Sequence, residues 1–72
     1  MYTYESRQFA PRAVEFICRT VRGYRVVRIY LDLPTERIIA FNESSDDREP
    51  ALLWRSEIDL LIKKAKEICD MD

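Results

Sequence analysis

Residues 24–33 constrain the fold more than any other segment, because β-branched and aromatic side chains dominate them, as in a β-strand. Side-chain alternation separates two faces of this strand. One face would carry Val27, Ile29, Leu31 and Leu33, and the other Tyr24, Val26, Arg28, Tyr30 and Asp32. Residues 33–36 have the sequence Leu-Pro-Thr-Glu and predict a turn, since proline presets one backbone dihedral. Residues 37–42 then form the return strand of a hairpin.

The length of the hairpin loop decides which side chains of the return strand enter the core. If the loop has an odd number of residues, its middle residue lies on the symmetry axis of the hairpin, and Ile39 and Phe41 join Val27 on the core face. If the number of loop residues is even, Ile38 and Ala40 point inward instead. The first arrangement buries more apolar area, about 2 kcal/mol for each large side chain, and we therefore expect it.

Residues 11–22 have the spacing of an amphipathic helix. Apolar residues recur at intervals of three and four, and charged residues occupy the other side. The apolar set is Val14, Ile17, Cys18 and Val21, and the charged set is Arg12, Glu15, Arg19 and Arg22. Pro11 suits the first turn, and Gly23 suits the position after the last turn, where a left-handed residue closes a helix. We therefore predict a helix before the central strand.

The C-terminal part of the chain is predicted to hold a second helix. Residues 43–49 form a polar, acidic loop in which Asp47 caps this helix, with Pro50 in its first turn. The helix would run to about Cys69. Its apolar stripe comprises Trp54, Ile58, Leu61, Ala65 and Ile68, widened by Ile62 and Cys69. If the last turns extend past the small sheet, Ile68 and Met71 would meet a second subunit.

A short strand over residues 1–5, with Tyr2 and Tyr4 on one side, completes the predicted element order. The sequence therefore predicts one α+β domain over residues 1–72, with a small antiparallel sheet of two or three strands in the order β-α-β-β-α. Both helices would pack on one face of that sheet. Because so short a chain buries only about 60% of its unfolded surface, a partner or a second copy would stabilise it.

The composition argues against most catalytic chemistry. The chain has no histidine, which removes the common catalytic pairs, and two cysteines are too few for a closed zinc site. Its single glycine, Gly23, cannot form a phosphate-binding loop. No apolar run is long enough for a membrane span, and the N-terminus lacks the features of a signal peptide. We therefore expect a non-enzymatic cytoplasmic protein without metal, cofactor or small-molecule substrate, in which Cys18 and Cys69 are reduced thiols. A disulfide between them would require the two predicted helices to pack side by side in the right register.

The outer face of the central strand is the strongest candidate for a binding surface. Aromatic rings alternate with arginine there, and both residue types are enriched at protein interfaces. The predicted partner-binding residues are Tyr24, Arg25, Val26, Arg28 and Tyr30 of the strand, together with nearby Arg22. The simpler interpretation is a surface strand with ordinary β propensity. A single-stranded nucleic acid would stack on the same rings, but the net charge of -1 argues against phosphate binding.

Three further features have simpler explanations than a site. A row formed by Arg12, Arg19 and Arg22 on the first helix would be a solvated face. The acidic loop lacks the regular ligand spacing and the turn glycine of a calcium site. Trp54 has the spacing of a core residue.

The sequence thus favours a protein-protein interaction module that acts as an inhibitor, adaptor or regulator of a larger protein or complex. No motif names a family, although small acidic α+β chains of this kind are common among phage- and plasmid-encoded accessory proteins. Two alternatives stay open. One is a nucleic-acid-binding protein that uses the strand rich in Arg and Tyr, and the other is a structural subunit of a homo-oligomer such as a dimer.

Overall fold

The computed structural model describes residues 3–32 and 35–70, which form one antiparallel sheet and one helix. The strands are β1 (Glu5–Ala10), β2 (Ala13–Arg19), β3 (Tyr24–Tyr30), β4 (Arg37–Glu43) and β5 (Arg48–Pro50), and the helix α1 spans Arg55–Ile68. Each strand pairs with the next one along the chain, so the sheet has the order β1-β2-β3-β4-β5. Within these ranges no helix has the length and apolar character needed to cross a membrane.

The predicted fold class is wrong, because the described residues form five strands and one helix instead of two or three strands and two helices. The main error lies in residues 11–22, where β2 replaces the predicted helix. β2 lies inside the sheet, and its side chains are buried without a break from Ala13 to Phe16. A strand that is buried on both faces lacks simple alternation, so its apolar residues also fit a helical spacing.

The edge strands account for the rest of the difference. β1 begins where the predicted N-terminal strand ended, and all six of its residues are exposed. Pro50 belongs to β5 and not to a helix. Asp47 does not cap a helix either, because it lies in the β4–β5 turn and α1 begins only at Arg55. In that turn its carbonyl accepts a hydrogen bond from the Ser44 amide (2.9 Å).

α1 therefore starts later than predicted and ends close to the predicted end. Trp54 is its N-cap residue and is 81% exposed, so its assignment to the core stripe is wrong. Leu61 and Ala65 are buried in the core, and Ile62 and Cys69 pack against it, as the stripe predicted. The predicted turn residues Leu33 and Pro34, and also Tyr2 and Met71, lie outside the described residues.

The core lies between α1 and one face of the sheet. Its buried members are Val14, Phe16, Val27, Ile29, Leu31, Leu61 and Ala65. Across the β3–β4 hairpin, Ile29 pairs with Ile38 and Val27 pairs with Ala40, so that Ile38 and Ala40 pack against this core. The expected inward orientation of Ile39 and Phe41 is therefore wrong. The expectation assumed that Phe41 would be buried only if it pointed into the core. Phe41 is buried on the opposite face of the sheet as well, so its orientation cannot be inferred from buried area.

A polar cluster holds the N-terminal end of α1 against the sheet. The Arg25 guanidinium donates to the Leu52 carbonyl (2.8 Å) and to Glu57 Oε1 (3.1 Å). The Tyr4 hydroxyl donates to Glu57 Oε2 (2.9 Å). Burial, aided by the hydrogen bond to Glu57, raises the pKa of Tyr4 to about 12.

Tyr4 is expected to make the fold less stable at alkaline pH. Its folded pKa lies above the ordinary value of 10.0, so the unfolded chain releases this proton first. The contribution of Tyr4 is thus complete below about pH 10 and is lost as the pH rises towards about 12. We expect the free energy of unfolding in urea to fall more steeply over this range in the wild type than in Tyr4→Phe, which has no such proton. Parallel pH curves for the two proteins would contradict this assignment.

Candidate functional site

The face of the sheet that points away from α1, which we call the open face, carries side chains from every strand. Pairing places Glu15 opposite Arg28 and Ile17 opposite Val26 on this face, with Tyr24 opposite Glu43. Eight of its residues are Phe9, Glu15, Tyr24, Val26, Arg28, Tyr30, Ile39 and Phe41, and of these Glu15, Val26 and Phe41 are buried.

The structure divides the predicted partner-binding residues into three groups. Tyr24, Val26, Arg28 and Tyr30 share the open face. Arg25 lies on the opposite face, where it is buried and contacts Glu57 of α1. Arg22 lies in the turn between β2 and β3 and lines a shallow groove with Glu43 and Asp47.

The predicted arginine row does not exist as one surface. Arg12 lies in the turn between β1 and β2, Arg19 ends β2, and Arg22 lies in the next turn. The acidic segment of residues 43–49 forms the β4–β5 connection, where Glu43 pairs with Arg48 (3.1 Å). Within the part of the chain that the structure describes, no group of three or more acidic or cysteine side chains could hold a metal ion.

An ion-pair cluster lies at the centre of the open face. Glu15 contributes a carboxylate whose side chain is only 7% exposed, and Arg28 Nε donates to its Oε2 atom at 2.8 Å. Arg7, which lies on the neighbouring strand β1, places a guanidinium nitrogen 3.4 Å from Oε1 of the same carboxylate. The hydrogen bond to Glu15 is the largest cause that raises the pKa of Arg28. This cluster explains how a carboxylate can be buried on the face that α1 does not cover.

Aromatic rings surround the ion-pair cluster. Phe9 and Tyr30 contact edge to face, with ring centroids 5.7 Å apart, and the Arg37 guanidinium lies 5.4 Å from the Tyr30 centroid. Phe41 has guanidinium groups near its ring, from Arg28 at 5.3 Å and from Arg48 at 4.4 Å. These cation–π contacts keep Phe41 buried without a covering layer.

Two apolar side chains of the open face stay half exposed. Tyr24 is 49% exposed and Ile39 is 50% exposed, and Phe9 is nearly as accessible. The arginines around them are largely neutralised, because Arg37 pairs with Asp32 (2.6 Å) and Arg48 pairs with Glu43. The open face therefore combines accessible apolar area with charges that are already paired.

The cysteines offer no reactive centre. Both are free thiols, with Cys18 buried and Cys69 half-buried. Burial raises the pKa of the Cys69 thiol, which reduces the fraction of nucleophilic thiolate.

Sequence reasoning missed the part of the open face that lies outside β3. Phe9 and Arg7 come from β1, Glu15 from β2, and Ile39 from β4. A strand assignment for residues 13–19 would have placed Glu15 between two arginine-bearing strands. The sequence therefore contains the signal, although Glu15 was assigned to the charged side of a helix.

Comparison with protein-family models, with curated proteins and with solved structures found no match.

Proposed function

We propose that this chain is a non-enzymatic interaction module that binds a larger protein through the open face. The observation that carries the proposal is the half-exposed apolar area of Tyr24 and Ile39 beside a cluster of paired arginines. Tyrosine and arginine are the residue types that dominate binding energy at protein interfaces. A role as inhibitor, adaptor or regulator in a reducing, cytoplasmic compartment is consistent with such a surface.

The charge arrangement favours a protein partner over a nucleic acid. Nucleic-acid binding depends on Lys and Arg side chains that neutralise phosphates and release the counterions condensed on the nucleic acid. On the open face, Arg28 contacts Glu15, and Arg37 and Arg48 each contact another carboxylate. These guanidinium groups have already lost much of their attraction for phosphate.

The test uses residues that protrude from the open face and make no ion pair. Tyr24→Ser combined with Ile39→Ser removes the exposed apolar area and leaves Glu15 and Arg28 intact. Loss of two such contacts is expected to weaken partner binding by about a hundredfold, which corresponds to roughly 3 kcal/mol. The measurement is the affinity for partners captured from a lysate with and without nuclease treatment, and the circular dichroism spectrum is the check on folding.

The matched control is Leu60→Ser combined with Val21→Ser, which removes similar exposed apolar area from α1 and from the β2–β3 turn. This control should bind like the wild type. Equal binding by both double variants would reject the open face as the docking surface. A complex that disappears after nuclease treatment and weakens steeply with salt would instead assign the face to nucleic acid.

A further inference from the structure

The strand β1 is an exposed edge of the sheet. It pairs with β2 on one side only, and all six of its residues are exposed. The opposite edge, β5, has three residues and ends in Pro50, and both properties discourage pairing with another chain. β1 contains no proline and is twice as long. It is therefore the edge on which a further strand can be added.

The charges of β1 are complementary to a second copy of the same strand. Glu5 and Arg7 are two residues apart, so both side chains lie on the open face. In an antiparallel pair with a two-fold axis at Ser6, Glu5 of each copy lies opposite Arg7 of the other. Two identical ion pairs would form, as an interface between identical chains requires. Moving the axis to Arg7 would place two guanidinium groups opposite each other.

Arg7 is available for this contact. Its side chain is 72% exposed, although one of its nitrogens lies 3.4 Å from Glu15. A guanidinium has five donor hydrogens, so it can contact Glu15 and a second carboxylate together.

The region next to this edge also has uncovered apolar surface. A groove between α1 and β1 is lined by Tyr4, Ser6, Phe16, Lys64, Glu67 and Ile68. Ile68, one of the residues expected from the sequence to meet a second subunit, is 37% exposed in this groove. A strand added to β1 would extend the floor of the groove and cover part of its apolar wall.

We propose that a second copy of the chain pairs with the first along β1, antiparallel and with the two-fold axis at Ser6. This axis is perpendicular to the sheet, so both open faces lie on one side and both helices lie on the other. The open face of each copy then continues into that of its partner. The proposal concerns the sheet edge and does not depend on the function proposed for the open face.

Charge reversal tests the register. Glu5→Arg alone and Arg7→Glu alone each place like charges opposite each other twice, and each is expected to weaken self-association by about tenfold or more. An equimolar mixture of the two variants should form a heterodimer, because every pair is again opposite in charge. Sedimentation equilibrium over a dilution series measures both effects. A wild type that stays monomeric up to about 1 mM, or a dimer that tolerates either reversal, would overturn the proposal.

A cysteine variant provides a second measurement that does not depend on the stability of Arg7→Glu. The two-fold axis places residue 6 opposite itself, within the Cα separation that a disulfide can bridge. Ser6→Cys should therefore form a covalent dimer under mild oxidation. Ser45→Cys, in the exposed β4–β5 turn, should stay monomeric under the same conditions. Equal cross-linking of the two variants would also overturn the proposed register.

Discussion

Arg28→Met is expected to lower the free energy of unfolding by about 2 kcal/mol, because it leaves the buried Glu15 carboxylate without its closest partner. Removing one member of a fully buried ion pair costs about 3–5 kcal/mol. The value here is smaller because the Arg28 side chain is 36% exposed and Arg7 still approaches Glu15. Urea denaturation of the variant and the wild type measures the difference.

The control for this prediction is Glu15→Met combined with Arg28→Met. The double variant removes the carboxylate together with its partner, so no unpaired charge remains buried. It should recover most of the stability that Arg28→Met loses. A double variant that is less stable than Arg28→Met would show that the pair stabilises the sheet by more than mutual neutralisation. Because the fold depends on Arg28, binding is tested with Tyr24→Ser and Ile39→Ser instead of a substitution of Arg28.

Gly23→Ala is expected to lower the free energy of unfolding by about 2 kcal/mol for a different physical reason. A Cβ atom at Gly23 would lie 2.1 Å from the Glu43 carbonyl oxygen, and that oxygen belongs to the backbone of β4. Because neither partner is the end of a flexible side chain, the β2–β3 turn or β4 must move. In a domain of this size the melting temperature should fall by roughly 10 °C.

Arg22→Ala is the matched control for Gly23→Ala, since it lies in the same turn and its side chain is exposed. Its effect on the free energy of unfolding should stay within about 0.5 kcal/mol. Gly23 does not have a positive φ, so strain in a left-handed conformation does not contribute. A melting temperature of Gly23→Ala equal to that of the wild type would mean that β4 has room to move away from the turn.

The sequence predicted, by their type, three of the six elements that the described residues form. β3, β4 and the C-terminal half of α1 follow from β-branched residues or from a helical stripe. β2 was assigned to a helix because it is buried on both faces, and its Glu15 side chain finds its partners on the neighbouring strands. β1 has a single large apolar residue, Phe9, and β5 has three residues, so neither leaves a periodic pattern in the sequence.

The candidate site was predictable only along one strand. Alternation within β3 placed Tyr24, Arg28 and Tyr30 on one face, and the register agrees with that placement. Arg25 was included because it is adjacent in sequence, whereas alternation directs it towards α1. The residues of β1 and β4 that complete the open face could not be assigned without the strand register, because one residue of shift exchanges the two faces.

The order of the strands has a consequence for how the chain folds. Every strand pairs with its neighbour in sequence, and only residues 20–23 separate β2 from β3. Closing such short loops loses little entropy, and topologies built from local contacts fold quickly. Each strand can therefore pair with the one before it without closing a long loop, and only α1 has to dock across the sheet to cover the core.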